Sequence, residues 1–514
     1  MQHSELENLL EIAGRELMRR LLQCHIDERG PGEVSVPVVN ADGDALTHRR
    51  LQTRPLKSVF GPVTVSRLGY GGPELSSLHP LDAALNLPKD LYSHGVRYKA
   101  AKYITDISHN KTVSDLKENI GVPEQSAAPA ASSPVKSAAS PPVRKDQTPN
   151  PPVPKRQLAE LVVRAAGDFE SFYETRGASA ATATGTGAIL ALSFDNKGVR
   201  MHHEDLRPAT KLAAEKAKPR LEHRRSQGEK GSRKRMSAVA AVYTIAPFVR
   251  TPEEIAGELH PGPRALPATR PRPEDKRVWA EIREPTAEVM RQAFEEALGR
   301  DPNQCKRWCV LVDGQPNQLA DVEQTVADFG VEVTLILDLI HVLEYLWKAA
   351  WALHGAGNRA ADAWVSERLL EILRGHGSAV AGGIRRSATL RGLGPAAREP
   401  LDKCADYLLK NRGYIRYDEY LAAGFPIATG VIEGACRYLV KDRMDLTGAR
   451  WRLAGAEAVL RLRSLRTSED FEEYWEYHLE QEYKRTHAAQ YAAGEVPLPA
   501  PPAPAKSRRL RLVK

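Results

Sequence analysis

Four short apolar runs constrain this chain more than any other feature: AILALSFDNKG, SAVAAVYTIAPFV, RWCVLVDGQ and VEVTLILDLIH. Each has the length and the Val, Ile, Leu and Ala content of a buried β-strand. Between and after them lie helical stretches: AEVMRQAFEEAL, a segment around 317–328, and a long helical pattern from about 342 to 420. Strands alternating with helices predict an α/β fold. With 514 residues the chain is too long for one ordinary core, so several domains are expected.

Before the apolar runs, residues 3–24 read as an amphipathic helix through Leu6, Leu9, Leu10, Ala13, Leu17 and Leu21. LKSVFGPVTVSRLGYGG reads as a hairpin turning at Gly61-Pro62. VRYKAAKYITDIS and NKTVSDLKENIGV read as two short helices, with Thr112 capping the second and Gly121 ending it. They fit either the start of a helix-turn-helix or a plain helical hairpin. An Ala/Pro/Ser-rich linker follows where a recognition helix would stand. The expected organisation is an α+β N-terminal region (1–123), a candidate for DNA binding, and a disordered linker (124–155). Then come the first part of an α/β core (156–341), an all-α insertion (342–422) and the last core helices (423–470). A C-terminal helix with a basic disordered tail (471–514) completes it.

Composition narrows the function. No apolar run approaches the length of a membrane span, and MQHSELENLLEIAG lacks the basic start and apolar core of a signal peptide, so a cytoplasmic, nucleoid-associated protein is expected. Five cysteines do not make a disulfide scaffold, and Cys305 and Cys309 read as ordinary thiols at a strand start. The net charge of +8 is bunched: eleven Lys/Arg against three Glu lie between Arg207 and Arg235. Such a basic loop (207–235) suits a polyanion, and phosphate contacts from Arg224, Arg225, Lys230, Arg233, Lys234 and Arg235 would give salt-dependent DNA affinity.

The chemistry is carried by acids. One strand ends in Asp195, a second ends in Asp313, and a later helix carries Glu433. Two carboxylates at the ends of neighbouring strands and a third from a helix suit two divalent cations, Mg²⁺ or Mn²⁺, and hence metal-dependent phosphoryl transfer. Each acid taken singly also has a plain explanation, as a turn residue or as a helix-start acid. Asp338 and His341 form a D-x-x-H after the fourth strand; the His suits a phosphate contact or proton donation to a leaving 3′ oxygen, or mere packing. Arg437 and Lys441 follow Glu433 at i+4 and i+8, expected on its face as DNA contacts or as salt-bridge partners. Trp451 suits base stacking or core filling.

SFDNKG, MSAVAAVYTI, VLVDG, LDLIHVLEYLW and GVIEGACRYLVKDRMDLTGARW together resemble the ISKra-type insertion-sequence transposases, relatives of the Mutator-like transposases. The resemblance covers about 187–466, with a weaker echo in LGYGGPELSSLHPLDAALNLP. It implies an RNase H-like catalytic core interrupted by the helical insertion, and Asp195, Asp313 and Glu433 as the DDE triad and metal ligands. It also places Asp338 and His341 near the active site. The DNA partners would be the element's terminal inverted repeats and its target, and pairing two ends calls for a homodimer or larger assembly. A nuclease of the same fold without strand transfer and a catalytically inactive DNA-binding regulator are the rival expectations.

Overall fold

The computed structural model describes residues 2–120, 153–179, 187–216, 233–258, 270–428 and 430–500. It divides into two compact units, Met1–Phe169 with Phe471–Lys514, and Glu170–Asp470.

The first unit holds an antiparallel sheet of β1 (His48–Ser58), β2 (Gly61–Gly72) and β3 (Leu75–Leu78), in that order. The β1–β2 turn is Val59-Phe60, two residues earlier than expected, with Gly61 opening β2 at a positive φ of 125°. Leu56, Val63 and Val65 bury one sheet face against Ile26 and Leu81. The expected helix forms as His3–Glu28, but Ile26 is its only buried residue, and its leucine stripe from Leu6 to Leu21 is exposed. The two short helices form as His94–Ile104 and His109–Asn119. Ser108 rather than Thr112 caps the second: its hydroxyl accepts from Lys111 N–H, while Thr112 is buried one turn in and bonds back to the Ser108 carbonyl. Gly121 lies outside the described residues. Helix Lys155–Ala165 packs on both, and helix Phe471–Thr486 joins the same unit, with Phe471 and Trp475 edge-on to Tyr98 and the Tyr474 hydroxyl bonded to the Ala165 carbonyl. The first unit therefore takes in segments that sequence order assigns to the core and to the C-terminus.

The second unit is built on a five-stranded mixed sheet, a mixed α/β arrangement. Its strands are β4 (Ile189–Arg200), β5 (Lys234–Ile245), β6 (Glu274–Glu281), β7 (Arg307–Val312) and β8 (Val333–Leu337), in the order β6-β5-β4-β7-β8. β4, β7 and β8 run parallel; β5 is antiparallel to both β4 and β6. Residues 189–194, 238–243 and 308–312 are continuously buried, as strands covered on both faces must be. Each such Val, Leu or Ile contributes about 2 kcal/mol of burial. Helix Thr286–Arg300 covers one face with Val289, Met290, Ala293 and Phe294.

β6 has no counterpart in the sequence reading. Its start, EDKR, is charged, and only Val278, Trp279 and Ala280 with the following Ile282 carry the buried signal. Helix Leu453–Thr467 completes this edge strand: Ser468 and Ser464 hydroxyls accept from the Val278 and Ala280 amides, and Glu457 accepts from the Ile282 amide. An edge paired in this way offers no free ladder to another chain. Trp451 fills the core, with Nε1 bonded to the Met444 carbonyl.

The helical block forms as Leu339–His354, Arg359–Leu373, Gly377–Leu390, Pro395–Lys410 and Tyr417–Ala422. Three tyrosine hydroxyls anchor it to the end of β7 and to β8: Tyr407 to the Asp313 carbonyl (2.8 Å), Tyr417 to Leu337 (2.8 Å) and Tyr420 to Leu335 (3.1 Å). Among the described residues no helix is long and apolar enough to cross a membrane.

Candidate active site

The parallel ladders place three acids in one row. β4 pairs with β7 up to Ser193↔Leu311, and β7 with β8 up to Val312↔Leu337. Continuing both registers by a residue or two sets Asp195 beside Asp313 and Asp313 beside Asp338. The point where the ladder opens is held by Gln318: its amide nitrogen donates to the Phe194 carbonyl (3.2 Å), and its amide oxygen accepts from Asp313 N–H (2.8 Å). β4 does not end at Asp195 as expected. It continues to Arg200 because its antiparallel partner β5 pairs along the whole length. Asp195 is thus a mid-strand residue, freed on one side only by the departure of β7.

Each acid is positioned by local chemistry. The Asp313 carboxylate accepts from Gln315 N–H (2.8 Å), closing a tight turn through Gly314. Gly314 has φ +77°, and a Cβ there would stand 2.8 Å from Leu337 Cδ1 and 2.9 Å from Asn411 Nδ2, so only glycine fits. Asp338 is buried and caps helix Leu339–His354, accepting from Ile340 N–H (2.9 Å). His341 stands in the first turn of that helix, its N–H bonded to the Asp338 carbonyl. Glu433 lies in the short helix Gly430–Ala435.

These side chains line one cavity of about 320 Å³: Asp195, Asp313, Asp338, His341 and Glu433, together with Lys197, Glu344 and Cys436. Burial raises the Asp313 carboxyl above its ordinary range; Asp195 adds to this, while the Gln315 N–H and His341 oppose it. Burial likewise raises Glu433, helped by the charges of Asp338, Glu344 and Asp195 and opposed by His341. Burial and the neighbouring Asp195 hold the Cys436 thiol protonated, and it hydrogen-bonds with Asp195. The chemistry of this donor set, hard carboxylate oxygens crowded against one another, fits a divalent cation. The separations do not close around one: among the described residues no group of three or more His, Cys, Asp or Glu side chains stands close enough to hold a metal ion.

Residues that sequence reasoning passed over complete the wall. Lys197 is two residues past Asp195, hence on the same strand face, and Glu344 is one helical turn past His341; both periodicities were readable. Gln318 carried no signal, since its role depends on where two strands separate.

The expected DNA contacts scatter. Arg224, Arg225 and Lys230 lie outside the described residues. Arg233 and Lys234 are exposed at the start of β5. Arg235 is instead a structural residue, its guanidinium donating to the carbonyls of Ile282, Arg283 and Asp205. Arg437 and Lys441 are exposed and are not among the described residues lining the cavity with Glu433. The helix turns π-helical over Cys436–Lys441. Cys436 takes the cavity position, and Arg437 is exposed, 3.9 Å from Asp442.

Comparison with protein-family models, curated proteins and solved structures finds no match to this chain. The site's own geometry therefore carries the functional argument.

Proposed function

We propose that the chain is a DDE-type DNA transposase of an insertion sequence, its second unit an RNase H-like core split by the helical insertion before Glu433. The observation that carries this reading is the row of Asp195, Asp313 and Asp338 across three parallel strands where the β4–β7 and β7–β8 ladders open, with Glu433 on the same cavity. Structural carboxylates are normally paired with cations; here five acids share one wall with, among the described residues, Lys197 and His341 as the only basic ones. Asp195, Asp313 and Glu433 would hold Mg²⁺ or Mn²⁺, which when bound neutralises charge on the attacking and leaving oxygens of an in-line displacement at phosphorus.

The chain's own residues supply the rest. Lys197 is placed to hold a non-bridging phosphate oxygen. His341 is the proton donor for the 3′ oxygen released when the phosphodiester opens. Asp338 acts by position: it caps the first turn of the helix and so fixes where His341 stands. Tyr407 and Gln318 hold the Asp313 backbone from opposite sides. Arg233 and Lys234 give the DNA strand exposed cations, and a dimer or larger assembly brings two element ends together.

Asp313→Asn should abolish Mg²⁺-dependent nicking of duplexes carrying the repeats that flank the coding region, with duplex affinity kept. Nicking by the variant at the wild-type rate would refute the assignment.

A further inference from the structure

A second pocket, of about 150 Å³, lies wholly within the first unit and has the opposite character. Arg54 on β1 and Arg67 on β2 rise from one sheet face, since Gln52 pairs with Arg67 and Arg54 with Val65. Where that face leaves the apolar cluster of Leu56, Val63 and Val65, it presents two half-buried guanidiniums in succession. Exposed Lys89 adds a third cation.

Against these three cations the described lining offers one carboxylate, Asp82, whose Oδ2 pairs with both arginines; Arg54 also donates to the Pro88 and Asp90 carbonyls (2.7 Å each). Among the described residues Arg67 Nε is buried without a hydrogen-bond partner. The two imidazoles on the wall do not add acceptor charge. His79 bonds to the Gln52 amide oxygen and His487 to the Leu87 carbonyl. Burial, with Arg67 and Arg54 beside it, pushes His79 down to about 4. Burial and the repulsion of Arg54 bring Arg67 down to about 10, although its guanidinium also touches the Asp82 carboxylate.

We propose that this pocket binds a phosphate group, gripped by the Arg67 guanidinium and the Lys89 ammonium, while Arg54, held by the Pro88 and Asp90 carbonyls, contributes its charge from behind. The guanidinium fork matches a tetrahedral oxoanion, and the cavity admits one such group. The proposal is independent of the acidic cavity and of the activity assigned to it.

The test uses the full chain and inorganic phosphate, titrated calorimetrically at constant ionic strength against chloride. Wild type should bind, Arg67→Gln should bind about ten-fold more weakly, and Lys89→Gln several-fold more weakly. Lys117→Gln, an exposed lysine of the same unit outside the pocket, should bind as wild type does. Lys89 is exposed, so its variant reports even if Arg67→Gln fails to fold. A labelled DNA duplex separates the sources of the phosphate. If the ligand is a strand phosphate, inorganic phosphate competes with DNA and Lys89→Gln lowers the salt slope of DNA affinity by about 0.9. If it is a free phosphorylated molecule, phosphate binds without displacing DNA. No phosphate binding by wild type, or equal binding by Lys89→Gln and wild type, would overturn the proposal.

Discussion

Gly314 ties the fold to the acidic cavity, and replacing it with alanine should be costly in a calculable way. An alanine at φ +77° carries the left-handed penalty of about 1–2 kcal/mol. Its Cβ would also press to 2.8 Å from Leu337 and 2.9 Å from Asn411, and crowding of a packed site costs about 1–3 kcal/mol more. The expected loss is therefore about 2–5 kcal/mol. Gly330 provides the control in the same unit: it is left-handed too, at φ +62°, but its Cβ would meet nothing within 4 Å. Gly330→Ala should lose only the conformational part, about 1–2 kcal/mol. Urea unfolding followed by tryptophan fluorescence measures both, because six of the chain's seven tryptophans fall within residues 170–470. The urea dependence should be unchanged and the midpoints shifted. Equal losses for the two variants would show that Leu337 and Asn411 do not crowd residue 314, and the account of how Asp313 is held would fail.

Other consequences follow from the charges. Asp313 and Glu433 have folded pKa values above their unfolded ones, so the folded state holds more protons. Stability should then fall as pH rises from the ordinary carboxylate range through the raised values, and Asp313→Asn or Glu433→Gln should flatten that fall in metal-free protein. Thermal midpoints taken across the range test this; parallel curves for variant and wild type would refute it. The buried pair Glu281–Glu457 should behave alike: burial and the bond to Glu457 raise Glu281, so Glu457→Gln should reduce the loss of stability on the alkaline side. Arg235→Gln should cost about 2 kcal/mol through three lost charge-assisted bonds to carbonyls, yet leave the salt dependence of DNA binding unchanged. Lys234→Gln should do the reverse, which filter binding at several salt concentrations can detect.

The sheet and its acids were largely readable because burial on both faces writes a strand as an apolar run, and the run's polar end marks the sheet edge. That logic reached Asp195, Asp313 and Asp338. It missed the extension of β4 to Arg200, since pairing with β5 is a long-range fact, and it missed β6, whose edge is satisfied by Ser464, Ser468 and Glu457 some distance on in sequence. The π-helical turn after Glu433 was not legible, because nothing in ACRYLVKD announces it. The joining of Lys155–Ala165 and Phe471–Thr486 with the N-terminal segment was equally hidden: helical periodicity tells that a helix buries a face, not against what. Arg235 shows the same limit for charge, since a run of basic residues does not reveal which guanidinium will be consumed by carbonyls.

The central claim is that Asp195, Asp313 and Glu433 act together in phosphoryl transfer to DNA. The most direct measurement supplies a pre-cut element end bearing a free 3′-OH, target DNA and Mg²⁺, and looks for the joined strand. The account predicts joining by the wild-type chain and none by Asp195→Asn, Asp313→Asn or Glu433→Gln while each still binds the end. Joining that survives any one of the three substitutions, or a wild-type chain that only hydrolyses the DNA, would contradict it.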